Sequence, residues 1–291
     1  MNFIQNSKIT DPKGYTAAAM RAGFKRKRRD LCIIKSDVPA KCSVKFTQNM
    51  VKAAPLQVAM ESLKKSGDML QALIINSGNA NAGTGQQGLK DTHDTIQMLS
   101  DRINIPGDLI LASSTGVIGE LLDMNKMRHG IDNLSSQLSV EGGSGCAEAI
   151  LTTDTVEKSF GVMIDIQGVE VTISGITKGS GMIQPNMATM LAFVTTDAEI
   201  EHELLNEIFT ECVEKTFNMI SVDGHTSTND TALIMANGLA GNPVIQPGTP
   251  EASVFHEALM ALSLEMARSI VKDGEGATKF VTIQVNQVDT F

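Results

Sequence analysis

The stretch from Lys178 to Phe193, KGSGMIQPNMATMLAF, holds the residue types from which a chain can make its own nucleophile. Gly179, Ser180 and Gly181 lead to a Pro185-Asn186 pair, and Ala188-Thr189 then runs at once into Met190, Leu191, Ala192, Phe193 and Val194. Gly, Pro and Asn supply turn conformations that β-branched residues resist. A constrained turn is therefore expected to deliver the Thr189 hydroxyl to the first position of a buried strand. There the hydroxyl can attack the carbonyl of Ala188, an ester replaces the amide, and water releases a new N-terminal threonine. The freed α-amino group, with an ordinary pKa of roughly 7.7–8.0, can act as base for its own hydroxyl. A threonine that simply opens a strand after a Gly/Pro loop has the same local pattern, so the stretch alone leaves both readings open.

Other segments could complete such a site. Ser113-Ser114-Thr115-Gly116 follows a strand expected over Asp108–Ala112. Small residues beside a glycine let backbone N–H groups face a cavity, and one well-placed oxyanion donor contributes ~2.7–4 kcal/mol. A simple tight turn fits those residues equally. Gly83-Thr84-Gly85-Gln86-Gln87-Gly88 matches G-x-G-x-x-G, but six residues separate Asn76, at the end of the preceding strand, from Gly83. A dinucleotide site wants the first glycine directly after the strand, so this Asn/Gly-rich loop reads instead as scaffolding near a site. His202-Glu203 and His256-Glu257 each lack a second histidine four residues after the first, which excludes a zincin metal site there.

The elements that must position these residues are legible in outline. Short strands are expected over Leu31–Ile34 and Ala72–Ile75, and helices from Leu89, over Met124–Leu138 and over Cys146–Ile150. Phe160, Val162, Ile164 and Ile166, then Val169, Val171 and Ile173 alternate about Gln167-Gly168, the pattern of a hairpin leading into Lys178. Leu204 to Phe217 and Ala252 to Lys272 have helical spacing, and Val281, Ile283 and Val285 read as a last strand. Hairpins among long helices argue against a purely parallel doubly wound sheet.

Composition bounds the rest. With 291 residues, 42% hydrophobic and 20% charged, the chain has ample material for a core, filled by aliphatic residues and 16 methionines because tryptophan is absent. A net charge of -9 argues against general binding to nucleic-acid phosphates. The one basic run, KRKRR at Lys25–Arg29, has no aromatic interleaving and reads as a solvated loop. Four scattered cysteines, Cys32, Cys42, Cys146 and Cys212, suit buried free thiols. The N-terminus has neither a signal nor a transit pattern, and no apolar run reaches the ~20 residues of a membrane span. The expectation is a cytoplasmic protein.

KGSGMIQPNMATMLAFVTTDA resembles the cleavage-site signature of the ornithine acetyltransferase family of arginine biosynthesis. Further stretches match in the family's order: SDVPAKCSVKFTQNMVKAAP, IINSGNANAGTG, SSTGVIG, LTTDT, SVDGHTSTNDTA and VKDGEGATKF. The resemblance implies an α/β fold of sheets covered by helices, reminiscent of the N-terminal-nucleophile enzymes. It implies cleavage between Ala188 and Thr189 into an α piece (1–188) and a β piece (189–291), two of each assembling as a heterotetramer. Thr189 would carry acetyl from N2-acetyl-L-ornithine to L-glutamate, with Thr115 and Gly116 as the oxyanion pair. Thr152, Lys178 and Glu275 would hold the amino-acid substrate alongside Thr189. No metal or organic cofactor is implied, and use of acetyl-CoA as donor varies within the family. Two departures stand out: His225 occupies a position where an acidic residue is usual, and the family continues past Phe291 into a segment whose Asn and hydroxyl residue complete the substrate site. The expectation is a chain truncated relative to the family, or one completed by another polypeptide. An aminopeptidase or amidohydrolase using the same nucleophile, and a catalytically inactive binding subunit, are the alternatives.

Overall fold

A computed structural model describes residues 1–183 and 190–285. The fold is joined at one long strand, β3 (Leu31–Phe46), which the sequence suggested only in its first four residues. Its first half pairs antiparallel with β2 (Tyr15–Met20) and β4 (Met69–Asn79). After a register shift between Lys35 and Ala40, its second half pairs with β9 (Thr231–Ala236). With β1 (Asn2–Ile4), β5 (Ile110–Val117), β6 (Lys158–Ile166), β7 (Val169–Lys178) and β8 (Leu191–Thr196), these make a nine-stranded sheet in the order β1-β6-β7-β8-β9-β3-β4-β5, with β2 on β3. Two pairs, β4–β5 and β8–β9, are parallel and the rest antiparallel, as the hairpin pattern anticipated.

Period-2 alternation sends each strand's residues to two cores. Ala192 and Val194 of β8 and Ala232, Ile234 and Ala236 of β9 meet α5 (His202–Lys215) and α6 (Pro250–Lys272) in one apolar cluster. At the other end of the sheet, Ile33, Ile74 and Ile110 meet residues of α1 (Ala54–Ser66), α2 (Gly85–Ile103) and α3 (Met124–Leu134). The opposite faces of both halves share a third cluster, in which Cys32, Leu73 and Leu111 join Ile176, Phe193 and Leu233. The sheet thus folds over on itself at β3, with a buried apolar interface between its halves. The short α4 (Cys146–Ala149) closes that inner cluster. All four cysteines are free and buried, and no helix among the described residues is long and apolar enough to cross a membrane.

Several boundaries differ from the sequence reading. β5 continues through Ser113–Gly116 to Val117, because those small residues stay in register with Ile75–Gly78 of β4 and the ladder shifts only at Gly78/Asn79. α3 stops at Leu134, since the residues from Ser135 face the surface or turn back towards β2 through Ser139. Val281, Ile283 and Val285 form no strand: they are 69%, 84% and 69% exposed, with no partner strand among the described residues to supply a ladder. The expected division at Ala188-Thr189 lies outside the described residues.

Candidate active site

The C-terminal end of β7 and the N-terminal ends of β8 and β9 meet the C-terminal ends of β4 and β5. Asn229 ties them together: its buried side-chain amide donates to Ala80 O at 2.6 Å and to Ser114 O at 2.9 Å. The Asn-rich loop after β4 is a scaffold, as its composition suggested. Asn76 donates to Asn79 O, Asn79 to Glu120 O and Leu121 O, and Asn81 to Gly88 O and Thr92 Oγ1. Gly88 is where α2 lies against Asn81 and Thr84, so it serves packing and not a pyrophosphate.

Beside this junction is a cavity of about 590 Å³, within the usual size of small-molecule sites. Thr115, Gly116, Thr152, Lys178 and Glu275 all line it. Those five positions come from four separate segments of the chain, and the fold brings them to one space. Gly116 has φ +136°, and a Cβ there would fall 2.3 Å from the carbonyl carbon of Gly78, so only glycine allows β4 and β5 this close. Glu275 reaches the cavity because its N–H donates to Ser180 O at 2.7 Å, and because Gly181 leaves room for its carboxylate. Thr189 and Ala188 lie outside the described residues. Met190 is 2% exposed and lies with Thr115, Lys178, Asn229 and Asp230 around a small adjoining space.

The electrostatics centre on buried charges. Lys178 is 3% exposed, donates to Thr152 Oγ1 at 2.7 Å and sits 3.9 Å from Asp154 Oδ2. Burial pushes its pKa below the ordinary lysine value, against the pull of Asp154 and Asp230. Asp154 also accepts from Lys158 Nζ at 2.8 Å and from the Gly179 N–H at 2.7 Å, and Lys158 in turn reaches Asp273 at 2.5 Å. Burial opposes ionisation of Asp154, but Lys178, Lys158 and Gly179 together outweigh it and hold its carboxyl below the usual range. Asp230 goes the other way. Burial pushes it well above the carboxylate range, despite the Met190 N–H that Oδ1 accepts at 2.9 Å and the nearby Lys178. Its Oδ2 is buried with no hydrogen-bond partner among the described residues.

Some of these residues escaped the sequence reading. Asp154, Asn229, Asp230 and Asp273 stand inside the quoted motifs LTTDT, SVDGHTSTNDTA and VKDGEGATKF, which was the available signal. Asp223 is another: its carboxylate accepts the N–H groups of Met182 and Ile183 at 2.9 and 2.7 Å, and it lines the cavity. His225 is 74% exposed and reaches Asp223 through Nδ1 at 3.1 Å. Lys25 corrects the reading of the basic run. Arg26 to Arg29 are exposed, but Lys25 is half-buried and lines the cavity.

Comparison with known proteins gives the family of the chain. The ArgJ family profile matches residues 16–291. The chain belongs to the ArgJ family. An ArgJ relative in Listeria monocytogenes, described as an arginine biosynthesis bifunctional protein, is 48% identical over 286 residues, which is 98% of this chain and 71% of that protein. Among solved structures, the ArgJ of Bacillus halodurans is 42% identical with a TM-score of 0.59, covering 64% of this chain and 97% of its own. The ornithine acetyltransferase of Mycobacterium tuberculosis, solved with ornithine, is 31% identical with a TM-score of 0.56, covering 63% of this chain and 97% of its own. The ArgJ fold also resembles, at 13% identity and a TM-score of 0.55 over 92% of the chain, an Ochrobactrum anthropi aminopeptidase described as a variant of the Ntn hydrolase fold. The family and the fold class expected from the motifs are the ones found.

Proposed function

We propose that this ArgJ chain is a glutamate N-acetyltransferase that moves acetyl from N2-acetyl-L-ornithine to L-glutamate through an acetyl ester on Thr189. The carrying observation is the gathering of Thr115, Gly116, Thr152, Lys178 and Glu275 around one cavity of amino-acid size, with Met190, the residue after Thr189, lining a small adjoining space that shares Thr115 and Lys178 with it. First the Ala188-Thr189 bond shifts from amide to ester and is hydrolysed, leaving a 1–188 piece and a 189–291 piece that stay together. The lengths of the two solved ArgJ-type chains support that division: they match 64% and 63% of this chain, and 188 of 291 residues is about 65%.

In the donor half-reaction the Thr189 amine takes the proton of its own hydroxyl, and Oγ attacks the acetyl carbonyl. Backbone N–H groups at Thr115 and Gly116 hold the oxyanion. The C–N bond then breaks, and ornithine leaves as the protonated amine. In the acceptor half-reaction the α-amine of glutamate attacks the ester, and N-acetylglutamate leaves with Thr189 restored. Thr152 and Lys178 hold the amino-acid portion, and Glu275 faces the ornithine ammonium. The ester itself carries the acetyl group, so the chemistry calls on no metal or organic cofactor. The assembly contains two of each piece.

Intact-mass spectrometry under denaturing conditions tests the first step. Two polypeptides are expected, the second beginning at Thr189, and Thr189→Ala is expected to give one uncleaved chain with no transfer. Product analysis with and without glutamate tests the second. Acetate release that ignores glutamate would replace the transferase reading with a hydrolase, and acetyl-CoA offered in place of acetylornithine shows whether it too can load the threonine.

A further inference from the structure

Both substrates of the proposed reaction place an α-nitrogen at the same acetyl carbon, as leaving group in one half-reaction and as attacking group in the other, so their α-carboxylates must occupy the same place in both. Their side chains differ in charge: ornithine ends in an ammonium and glutamate in a carboxylate. Glu275, at the cavity edge, suits the first and repels the second. A cavity serving both needs a cation for the glutamate side chain. Lys178 is poorly placed for that task, being almost wholly buried, bonded to Thr152 and beside Asp154.

Lys25 is built for it. The wholly buried Asp30 clamps its backbone, accepting the N–H groups of Ala22, Gly23 and Lys25 at 2.6, 3.0 and 2.7 Å. Its stem lies against Gly78, where a Cβ would fall 3.1 Å from Lys25 Cγ and 2.8 Å from Phe24 O. Its Nζ donates to Leu151 O at 2.8 Å, beside the cavity-lining Thr152 and Thr153. An ammonium has three donors, and among the described residues no carboxylate lies within ion-pair distance of this one, while its neighbour Arg29 is paired with Glu148. Holding a half-buried cation without a counter-ion is costly. That cost is visible in the lysine's acidity: burial, only partly offset by Asp30, lowers its pKa to about 8.

We infer that Lys25 is a specificity-determining residue that receives the side-chain carboxylate of the acceptor, so that it recognises glutamate and takes little part in recognising the acetylornithine donor. This inference rests on the acetyl-transfer reading above. In a ping-pong reaction kcat/KM for each substrate reports its own half-reaction, which separates the two roles. Lys25→Gln is expected to lower kcat/KM for glutamate about 10–100-fold, the worth of a charge-assisted hydrogen bond, and to leave that for acetylornithine within about 3-fold. Lys25→Arg, which keeps the charge, is expected to retain most of the glutamate activity. The ratio of glutamate to glutamine as acceptor is independent of the fraction of enzyme folded, and it is expected to collapse in Lys25→Gln. An unchanged ratio, or an equal fall in both half-reactions, overturns the inference. A wild-type protein that moves no acetyl from acetylornithine to glutamate instead overturns the reading on which it rests.

Discussion

Asp154 and Asp230 flank the same lysine and are driven in opposite directions, because at Asp154 two lysines and the Gly179 N–H outweigh burial, whereas at Asp230 burial outweighs Lys178 and the donors at Met190 and Ser227. A carboxyl whose folded pKa is raised binds its proton more tightly in the folded state. Its contribution to stability is therefore fully present below the unfolded value, near 3.8, and is lost as pH rises through the folded pKa. Asp230→Asn removes that loss: its stability relative to wild type should increase as pH is raised from about 4 to neutrality, measured by urea melts at each pH. Lys158→Met should act differently. It leaves Asp273 without its cation and Asp154 with Lys178 alone, and breaking such a buried pair costs about 3–5 kcal/mol, so a fall in melting temperature of many degrees is expected at pH 7. At this scale the sequence was legible as to which motif residues gather, since Thr115, Thr152, Lys178 and Glu275 all line the cavity, and illegible where a residue's surroundings depend on burial. Nothing in the letters of LTTDT says that Asp154 will meet two lysines. Lys25 was misread because four exposed neighbours gave the run the look of solvent-facing charge.

Two glycines separate what the elements need for packing from what they need for chemistry. At Gly116 the backbone of β4 stands where a Cβ would go, and φ is positive, so Gly116→Ala should destabilise the fold by about 1–3 kcal/mol as well as displace the N–H proposed as an oxyanion donor. At Gly181 the obstacle is only the carboxylate of Glu275, 2.6 Å from the ideal Cβ and free to move. Gly181→Ala should leave stability within about 0.5 kcal/mol yet raise KM for acetylornithine, a split that melts and initial rates together can read. Element types were mostly legible: the β6–β7 hairpin and the helices α2, α5 and α6 follow from period alone. Element ends were not. Ser113–Gly116 resembles a loop in composition, but its pairing with β4 is a tertiary fact. Val281, Ile283 and Val285 alternate as a strand does, and alternation without an adjacent ladder makes none.

In the whole molecule, β8 and β9 are late in sequence but central in the sheet, between β7 and β3. If the chain is cut before Thr189, the second piece contributes the middle of a sheet whose flanks belong to the first. Residues 1–188 and 189–291 expressed apart should therefore be largely insoluble and recombine poorly, because each leaves fully buried strands with bare edges. Co-expression of the two pieces should recover less soluble protein than expression of the uncut chain, as measured by yield after size exclusion. No inspection of Thr189 alone could have shown this arrangement, since it depends on pairings between strands far apart in the sequence. It also bears on how the protein is born. A ribosome releases β1 to β7 first, with an open slot between β3 and β7 and the inner faces of both halves unsealed. Until β9 emerges, some forty residues after the threonine, the nascent chain carries sticky edges that invite aggregation or a holding chaperone. On the proposed cleavage, the Ala188-Thr189 bond leaves the ribosome well before the fold that would act on it, and vectorial synthesis itself would guard against premature cutting.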